Sequence, residues 1–152
     1  MLVIVGSSFQ SRNIRNSFNW SERAEMTLST LPKADRIRLK FLPVRDYYGH
    51  ALWNADVRRQ VSECVSARER IALVDFKKDH TTYYLDNFPD WRMVEIESSL
   101  DIDATDLRKL LFEAETAQRA AAEMGERIST SISQFLNNWS LQPVYGDLKK
   151  NT

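Results

Sequence analysis

The chain has 152 residues, of which 43% are hydrophobic, and its 21 basic residues equal its 21 acidic ones in number. This length predicts one domain with a proper core, and the balanced charge argues against nucleic acid or an anionic membrane surface as a partner. A single cysteine, Cys64, and two histidines argue against an intrachain disulfide and a zinc cluster, and no apolar run is long enough for a membrane span. Together these features favour a soluble protein in a reducing, cytoplasmic setting.

Short apolar runs alternate with helical segments along the first two thirds of the chain. Runs rich in β-branched and large apolar residues predict four strands, at residues 2–6, 41–44, 71–76 and 91–96. Helices are predicted over 21–31, with Ser21 as the N-cap, and over 51–65. Strands separated by helices pair in parallel through right-handed crossovers, so we predict an α/β fold with one parallel sheet and ligands at the carboxyl ends of its strands.

The last third of the chain is predicted to be helical. Asp103 is the expected N-cap of a helix whose apolar residues begin at Leu107. A second helix is indicated by apolar residues three or four apart between Ile128 and Trp139, and Pro143 is expected to end it. We predict an α/β core over 1–115 and a helical extension of the same domain over 116–152. Four glycines in the chain leave no Gly-rich phosphate loop, and triad motifs and paired metal ligands are missing as well.

The stretch from residue 41 to 61 changes character after its apolar start. Within eight residues it supplies a carboxylate, three aromatic rings, a glycine and an imidazole, in the order Asp46, Tyr47, Tyr48, Gly49, His50 and Trp53. A buried strand needs no such cluster. From the residue types alone, a ligand site and ordinary core packing of the aromatic rings are about equally favoured.

Four segments together resemble one family. They are VGSSFQSRNIRNSFNWSER (5–23), FLPVRDYYGHALWNADV (41–57), KKDHTTYYLDNFPDW (77–91) and DIDATDLRKLLFE (101–113). In order and spacing they resemble the archaeal-type nicotinamide mononucleotide adenylyltransferases, which also form the first half of bifunctional enzymes with a Nudix hydrolase domain. The resemblance runs from about residue 2 to 149, without a Nudix domain. It implies a Rossmann-like nucleotidyltransferase fold that joins nicotinamide mononucleotide to the adenylyl group of ATP, with Mg²⁺ carried by ATP, to give NAD and pyrophosphate.

The resemblance also implies roles for particular residues. Trp53 would stack on the cationic nicotinamide ring, for which an electron-rich indole is suited. Asp46, Tyr47 and His50 would belong to the segment that holds the carboxamide, with His50 at a position where relatives often carry Asn. Gly6, Ser7 and Arg15 would hold the phosphate of the mononucleotide. Thr105 and Arg108 match a Ser-x-Thr-x-x-Arg clamp for the ATP phosphates. Without the family context, Arg15 is a solvated charge and Arg108 an exposed arginine of a capped helix.

The chain departs from the family pattern at several points. The family's first strand and its His-x-Gly-His segment are missing, and neither His50 nor His80 replaces them, so no catalytic residue is assigned. That strand is central in the fold, flanked by the second and fourth, and its loss is expected to leave two unpaired sheet edges. Asp75 and Phe76 replace a pair near the adenosine, and Asp103 replaces the clamp serine.

Three explanations of the missing strand stay open: a start site chosen too late, an N-terminal fragment supplied in trans, or a decayed copy. The alternative functions are a non-catalytic module that binds NAD or another nucleotide, and a structural protein whose exposed apolar strip forms a homo-oligomer or binds a partner.

Overall fold

The computed structural model describes residues 1–75, 87–96 and 102–150. In chain order, these residues form β1 (Leu2–Val5), α1 (Trp20–Ser29), α2 (Lys33–Arg36), β2 (Lys40–Pro43), α3 (His50–Ser62), β3 (Ala72–Asp75), β4 (Arg92–Glu95), α4 (Ala104–Glu113), α5 (Ala117–Met124), a 3₁₀ turn (Gly125–Arg127), α6 (Thr130–Trp139) and α7 (Pro143–Lys149). The four predicted strands and the helices at α1, α3, α4 and α6 are confirmed. Phe76, His80 and most of the segment 77–91 lie outside the described residues.

The strands form two parallel pairs. β1 pairs with β2, so that Leu2 lies opposite Lys40 and Val5 opposite Pro43. β3 pairs with β4, from Ala72 opposite Arg92 to Asp75 opposite Glu95. Parallel pairing is thus confirmed, but the expectation of one continuous sheet is wrong for the described residues, where no ladder joins the two pairs.

Contacts divide the chain into two units, Met1–Asp46 with Ile102–Thr152, and Tyr47–Asp101. The first unit holds the β1–β2 pair together with α1, α2 and α4 to α7. The second holds α3 and the β3–β4 pair. The domain boundary that the sequence suggested near residue 115 stays a prediction. None of the helices in the described ranges is both long and apolar enough to cross a membrane.

The first unit has a large apolar core made mainly by its carboxyl-terminal helices. Its buried members are Leu111, Phe112, Ala117, Ala120, Met124, Leu136, Trp139, Tyr145 and Leu148. Trp139 is only 1% exposed, and the Phe18 ring packs against it with 4.6 Å between ring centroids. The Trp139 Nε1–H donates to Glu22 Oε1 at 2.9 Å. The helical third is therefore joined to the start of α1 by both packing and a hydrogen bond.

Helix α1 begins after Asn19, which is its N-cap and lies two residues before the predicted cap at Ser21. Asn19 Oδ1 accepts the Glu22 N–H at 2.8 Å, and Glu22 Oε2 accepts the Asn19 N–H at 2.8 Å. This reciprocal capping box satisfies two of the N–H groups that a helix start leaves without partners. Ser21 instead donates its hydroxyl to Asn19 Oδ1. The predicted Ser21 cap is wrong because Asn19 and Glu22 together satisfy more donors than a serine can.

The start of α4 and the end of α6 were also predicted from the sequence. Asp103 is the N-cap of α4, as predicted, since its side chain accepts the Thr105 N–H. Pro143 does not end α6, which stops at Trp139, but is the first residue of α7. A proline suits a first helical position because the N–H that it lacks would have no intrahelical partner there.

The second unit is built around aromatic rings and one side of α3. Val57 and Val61 of α3 are buried, and Phe88 is 3% exposed. The Phe88 ring stacks on Trp91 at 4.5 Å and meets the Trp53 ring edge-on at 6.3 Å. The Arg58 guanidinium lies 4.9 Å from the Phe88 centroid and pairs with Asp90 at 2.6 Å. These contacts form a small aromatic cluster that holds α3 to the segment before β4.

Candidate functional site

The turn after β1 has an unusual backbone. Ser7 has φ of 51° and Phe9 has φ of 65°, both in the left-handed region that non-glycine residues seldom adopt. A Cβ placed on Gly6 would have no atom within 4 Å, so the turn presents open backbone at that residue. The buried Ser8 fixes the turn to the strands, since its N–H donates to Val44 O at 2.9 Å and its hydroxyl to Val5 O at 2.7 Å. Of the residues predicted to contact the mononucleotide phosphate, Gly6 and Ser7 thus lie on an anchored turn.

Charged and polar side chains surround this turn. Arg23 Nη1 donates to Gly6 O at 2.8 Å, and the Ser7 N–H donates to Asp46 Oδ1 at 3.1 Å. Gln10 Nε2 donates to the other Asp46 oxygen at 2.7 Å. The structure therefore brings Gly6, Ser7 and Asp46 together. From the resemblance, Asp46 was expected to belong to the segment that holds the carboxamide. In this arrangement, Asp46 holds the Ser7 turn.

Arg15 is exposed close to the same turn. Its neighbour in sequence, Asn16, donates from Nδ2 to Ser7 O at 3.4 Å. The Arg15 guanidinium has no hydrogen bond or ion pair to any residue in the described part of the chain. An exposed and unpaired arginine next to a turn that offers a backbone N–H is suited to binding a phosphate.

The start of α4 carries the second predicted phosphate site. Arg108 Nη2 lies 3.5 Å from Thr105 Oγ1, so the hydroxyl and the guanidinium share one side of the first turn. The cap carboxylate lies beside them, because Asp103 Oδ1 accepts the Thr105 N–H at 2.6 Å. Thr105 and Arg108 thus lie together near the start of α4, where the Thr105 N–H already has an anionic acceptor.

The remaining predicted residues belong to the second unit, at the entry to α3. Gly49 is the N-cap of α3, His50 is its first residue, and Trp53 is half-buried in the first turn. The Tyr47 hydroxyl donates to Asp56 Oδ2 at 3.1 Å. Burial alone would raise the pKa of Asp56, but hydrogen bonds from Arg59, Tyr47 and Gln60 hold this pKa below its ordinary value. An ionised Asp56 therefore fixes the position of Tyr47.

Arg23 and Gln10 were not predicted from the sequence as residues of this site. Arg23 lies in the first turn of α1, where a cation opposes the helix dipole and therefore adds nothing to helix stability. An arginine at such a position, shortly after a Gly-Ser turn, is the signal that could have identified it. Gln10 carries no comparable signal.

Comparison with known proteins places the chain in a family. No family model matches it. The nicotinamide/nicotinic acid mononucleotide adenylyltransferase of Acinetobacter baylyi is 30% identical over 151 residues, which cover 99% of this chain and 77% of that protein. The chain belongs to this adenylyltransferase family. The predicted resemblance is thereby confirmed.

Solved structures agree with this relation. A bifunctional NMN adenylyltransferase/ADP ribose pyrophosphatase from Francisella tularensis, complexed with AMP and a manganese ion, matches 98% of this chain with a TM-score of 0.78 and 25% identity. A second structure from that organism, described as the same bifunctional protein, matches with a TM-score of 0.75 and 22% identity and supports the fold alone. The predicted nucleotidyltransferase α/β fold is confirmed. The chain spans 43% and 44% of the lengths of these two proteins.

Proposed function

We propose that this chain binds nicotinamide mononucleotide and ATP and serves the adenylyl transfer that yields NAD and pyrophosphate. The observation that carries this proposal is the 30% identity to a nicotinamide/nicotinic acid mononucleotide adenylyltransferase, which extends over 99% of the chain. A cytoplasmic location belongs to the same proposal and is supported by the single cysteine.

The mononucleotide phosphate would be held by the turn after β1. The Ser7 N–H already points at an anionic oxygen, that of Asp46. The exposed Arg15 has no ion pair within the described residues and is next in sequence to Asn16, which donates to Ser7 O. A phosphate offers the same kind of acceptor as a carboxylate, with more charge. For the pyridinium ring we propose Trp53, whose indole belongs to the aromatic cluster with Phe88. Tyr47 and His50 would contact the carboxamide.

The ATP phosphates would be held by Thr105 and Arg108. Adenylyl transfer needs the attacking phosphate and the α-phosphate aligned and their charge offset, which a hydroxyl and a guanidinium at a helix start help to do. We propose that Mg²⁺ arrives with ATP as part of the substrate. The described residues contain no group of three His, Cys, Asp or Glu that could hold a metal ion by themselves. The bifunctional Francisella protein was solved with AMP and a manganese ion, which supports the use of a divalent ion in this family.

Turnover is the first test of the proposal. The chain lacks the His-x-Gly-His segment that the family resemblance assigns to charge stabilisation at the α-phosphate, and such groups are each typically worth about a hundredfold or more in rate. We expect NAD synthesis from ATP, Mg²⁺ and nicotinamide mononucleotide to be near background for the chain alone, and to rise at least about a hundredfold when this segment is added as an N-terminal extension or a separate fragment. NAD formation is measured by chromatography. Rapid synthesis without the added segment would show that other residues perform the catalysis.

Binding is the second test and uses the four tryptophans of the chain. Nicotinamide mononucleotide should quench tryptophan fluorescence, and Trp53→Ala should weaken its binding about 5- to 30-fold, or about 1–2 kcal/mol, because a cation–π contact is lost. Trp91→Phe is the matched control, since Trp91 stacks on the same Phe88 ring and is assigned no ligand contact. Equal losses in both variants would mean that Trp53 only packs in the aromatic cluster.

A second function is favoured by one observation. Asp103 Oδ1 accepts the Thr105 N–H at 2.6 Å, so a carboxylate lies beside the residues that we propose for the ATP phosphates. This favours a module that binds NAD or the mononucleotide without catalysis. The two functions are distinguished by adding the His-x-Gly-His segment. Restored thermal stability without NAD synthesis would select the non-catalytic module.

A further inference from the structure

The Gly6–Ser7 peptide unit is held at both of its polar ends by charged side chains. The carbonyl of Gly6 and the N–H of Ser7 belong to one planar peptide group. Arg23 donates to the oxygen at 2.8 Å, and Asp46 accepts from the nitrogen at 3.1 Å. A cation at the carbonyl and an anion at the N–H fix the direction of that group, because a flipped peptide would lose both bonds. They also polarise it, which strengthens the N–H as a donor.

The position of Arg23 does not stabilise helix α1. As a cation in the first turn of α1, it opposes the helix dipole. Its Nε and Nη2 atoms are fully shielded from solvent and have no hydrogen-bond partner in the part of the chain that the structure describes. Burial lowers the pKa of Arg23, and the charge of Asp46 opposes that shift. Among the described residues, the hydrogen bond that this costly position gives the guanidinium is the one to Gly6 O.

We infer that Arg23 is a positioning residue, which fixes the Gly6–Ser7 peptide so that the Ser7 N–H is directed at the phosphate of the bound mononucleotide. This inference rests on the proposed function. In the ligand-free chain, the Asp46 carboxylate accepts that N–H in place of the phosphate. Gln10 keeps the carboxylate in position by donating to its second oxygen at 2.7 Å. Arg23 would therefore affect the ligand through the backbone, without touching it.

The first experiment measures the turn without any ligand. We compare hydrogen exchange of the Ser7 amide by NMR in the wild-type chain, in Arg23→Met, which keeps the length of the side chain, and in Arg119→Met. Arg119 lies exposed on α5 and forms only local ion pairs there, so Arg119→Met is a matched control. Exchange at Ser7 should be at least about tenfold faster in Arg23→Met and unchanged in the control. Unchanged Ser7 exchange in Arg23→Met would overturn the positioning role, whatever the chain binds.

The second experiment separates positioning from a general structural effect. Nicotinamide mononucleotide and nicotinamide riboside differ only in the phosphate. Arg23→Met should weaken mononucleotide binding about tenfold or more while changing riboside and ATP binding by less than about twofold. Equal losses for mononucleotide and riboside would overturn the inference in favour of a merely structural role. Failure of the wild-type chain to bind the mononucleotide would overturn the proposed function, and the Ser7 exchange experiment would still decide the role of Arg23.

A conservative variant guards against misfolding. Arg23→Lys keeps the charge but cannot reproduce the direction of a guanidinium N–H. It should show intermediate exchange at Ser7 and intermediate mononucleotide affinity, with a melting temperature close to that of the wild type. If Arg23→Met does not fold, this variant decides alone, and wild-type values of both exchange and affinity would contradict the inference.

Discussion

Two carboxylates of the first unit accept backbone N–H groups of residues that we propose to bind phosphates. Asp46 accepts the Ser7 N–H at 3.1 Å, and Asp103 accepts the Thr105 N–H at 2.6 Å. A carboxylate at such a position satisfies the donor without a ligand, and it repels a phosphate that approaches the same donor. Nucleotide affinity in this chain should therefore depend on two acidic side chains as much as on its arginines.

The effect of Asp103 can be measured directly. In Asp103→Ser, serine still caps α4, but the negative charge beside Arg108 is gone. We expect ATP to bind about 3- to 10-fold more tightly, measured by titration calorimetry in the presence of Mg²⁺. Asp106→Ser is the control, since it removes an equal charge from the first turn of α4 and leaves the cap in place. If ATP affinity rises equally in both variants, the overall negative charge at the start of α4 weakens ATP binding. The hydrogen bond from the Thr105 N–H to Asp103 then has no separate effect.

At the scale of secondary-structure elements, Glu22 connects three parts of the first unit. Its carboxylate closes the capping box of α1, pairs with Arg12 at 2.8 Å and accepts the Trp139 N–H from α6 at 2.9 Å. Its side chain is 11% exposed, so solvent replaces little of what is lost on removal. Glu22→Ala should lower the free energy of unfolding by about 2–4 kcal/mol, measured by urea denaturation.

The control for Glu22 lies on the same helix. Glu25 is exposed on α1, and Glu25→Ala should change the free energy of unfolding by no more than about 0.5 kcal/mol. Glu22→Gln keeps an acceptor for Trp139. Its effect on the free energy of unfolding should lie between those of Glu22→Ala and Glu25→Ala. A small effect of Glu22→Ala would mean that the core around Trp139 holds α1 without this carboxylate.

Helix α3 offers a test by pH. The pKa of Asp56 is lowered in the folded chain, so its interactions stabilise the fold above the unfolded pKa and are lost as the pH falls through the folded pKa. Amide protection at the start of α3 should decrease below about pH 4 in the wild type. In Asp56→Asn it should be lower throughout and nearly independent of pH in that range. Glu63→Gln, which removes only an exposed partner of Arg59, should keep the wild-type profile.

The elements also show why sequence patterns predicted some features and missed others. The strands were predictable because each lies in a short run that is rich in β-branched or large apolar residues. The Asp103 cap was predictable because it precedes an apolar helical pattern directly. The cap of α1 was not, since two candidates, Asn19 and Ser21, lie close together and the choice depends on Glu22. The contact between Arg23 and Gly6 spans 17 residues and depends on packing, which no local pattern encodes.

At the scale of the whole molecule, apolar burial is unevenly divided. In the described part of the second unit, the buried apolar side chains are Val57, Val61 and Phe88, whereas the first unit buries a continuous core around Trp139. Local stability follows the amount of buried apolar contact. Amides of α3 and β3 should therefore exchange at least about a hundredfold faster than those of α4 and α6, measured by hydrogen exchange with mass spectrometry. Equal protection would show that the two units open as one.

The single sheet expected from the sequence is the main error at this scale. The parallel direction was predictable from the alternation of strand and helix patterns, as in the β1–β2 pair, whose strands are joined through α1 and α2. The order of the elements does not fix how many strand pairs join into one sheet. That depends on hydrogen bonds between strands far apart in sequence, and the ladders β1–β2 and β3–β4 share none in the described ranges.

In a sheet of two strands, both strands are edge strands. Within the described ranges each strand has a ladder partner on one side only, and an edge of this kind is a template on which another polypeptide can pair. Pro43 in β2 and the charged residues Lys40, Arg92 and Glu95 weaken this tendency. Electrostatic repulsion between molecules does little to prevent such pairing, because the formal net charge is zero and the isoelectric point is about 6.7. The solubility of the purified chain should therefore be lowest near neutral pH, and concentrated stocks should keep best well to either side of it.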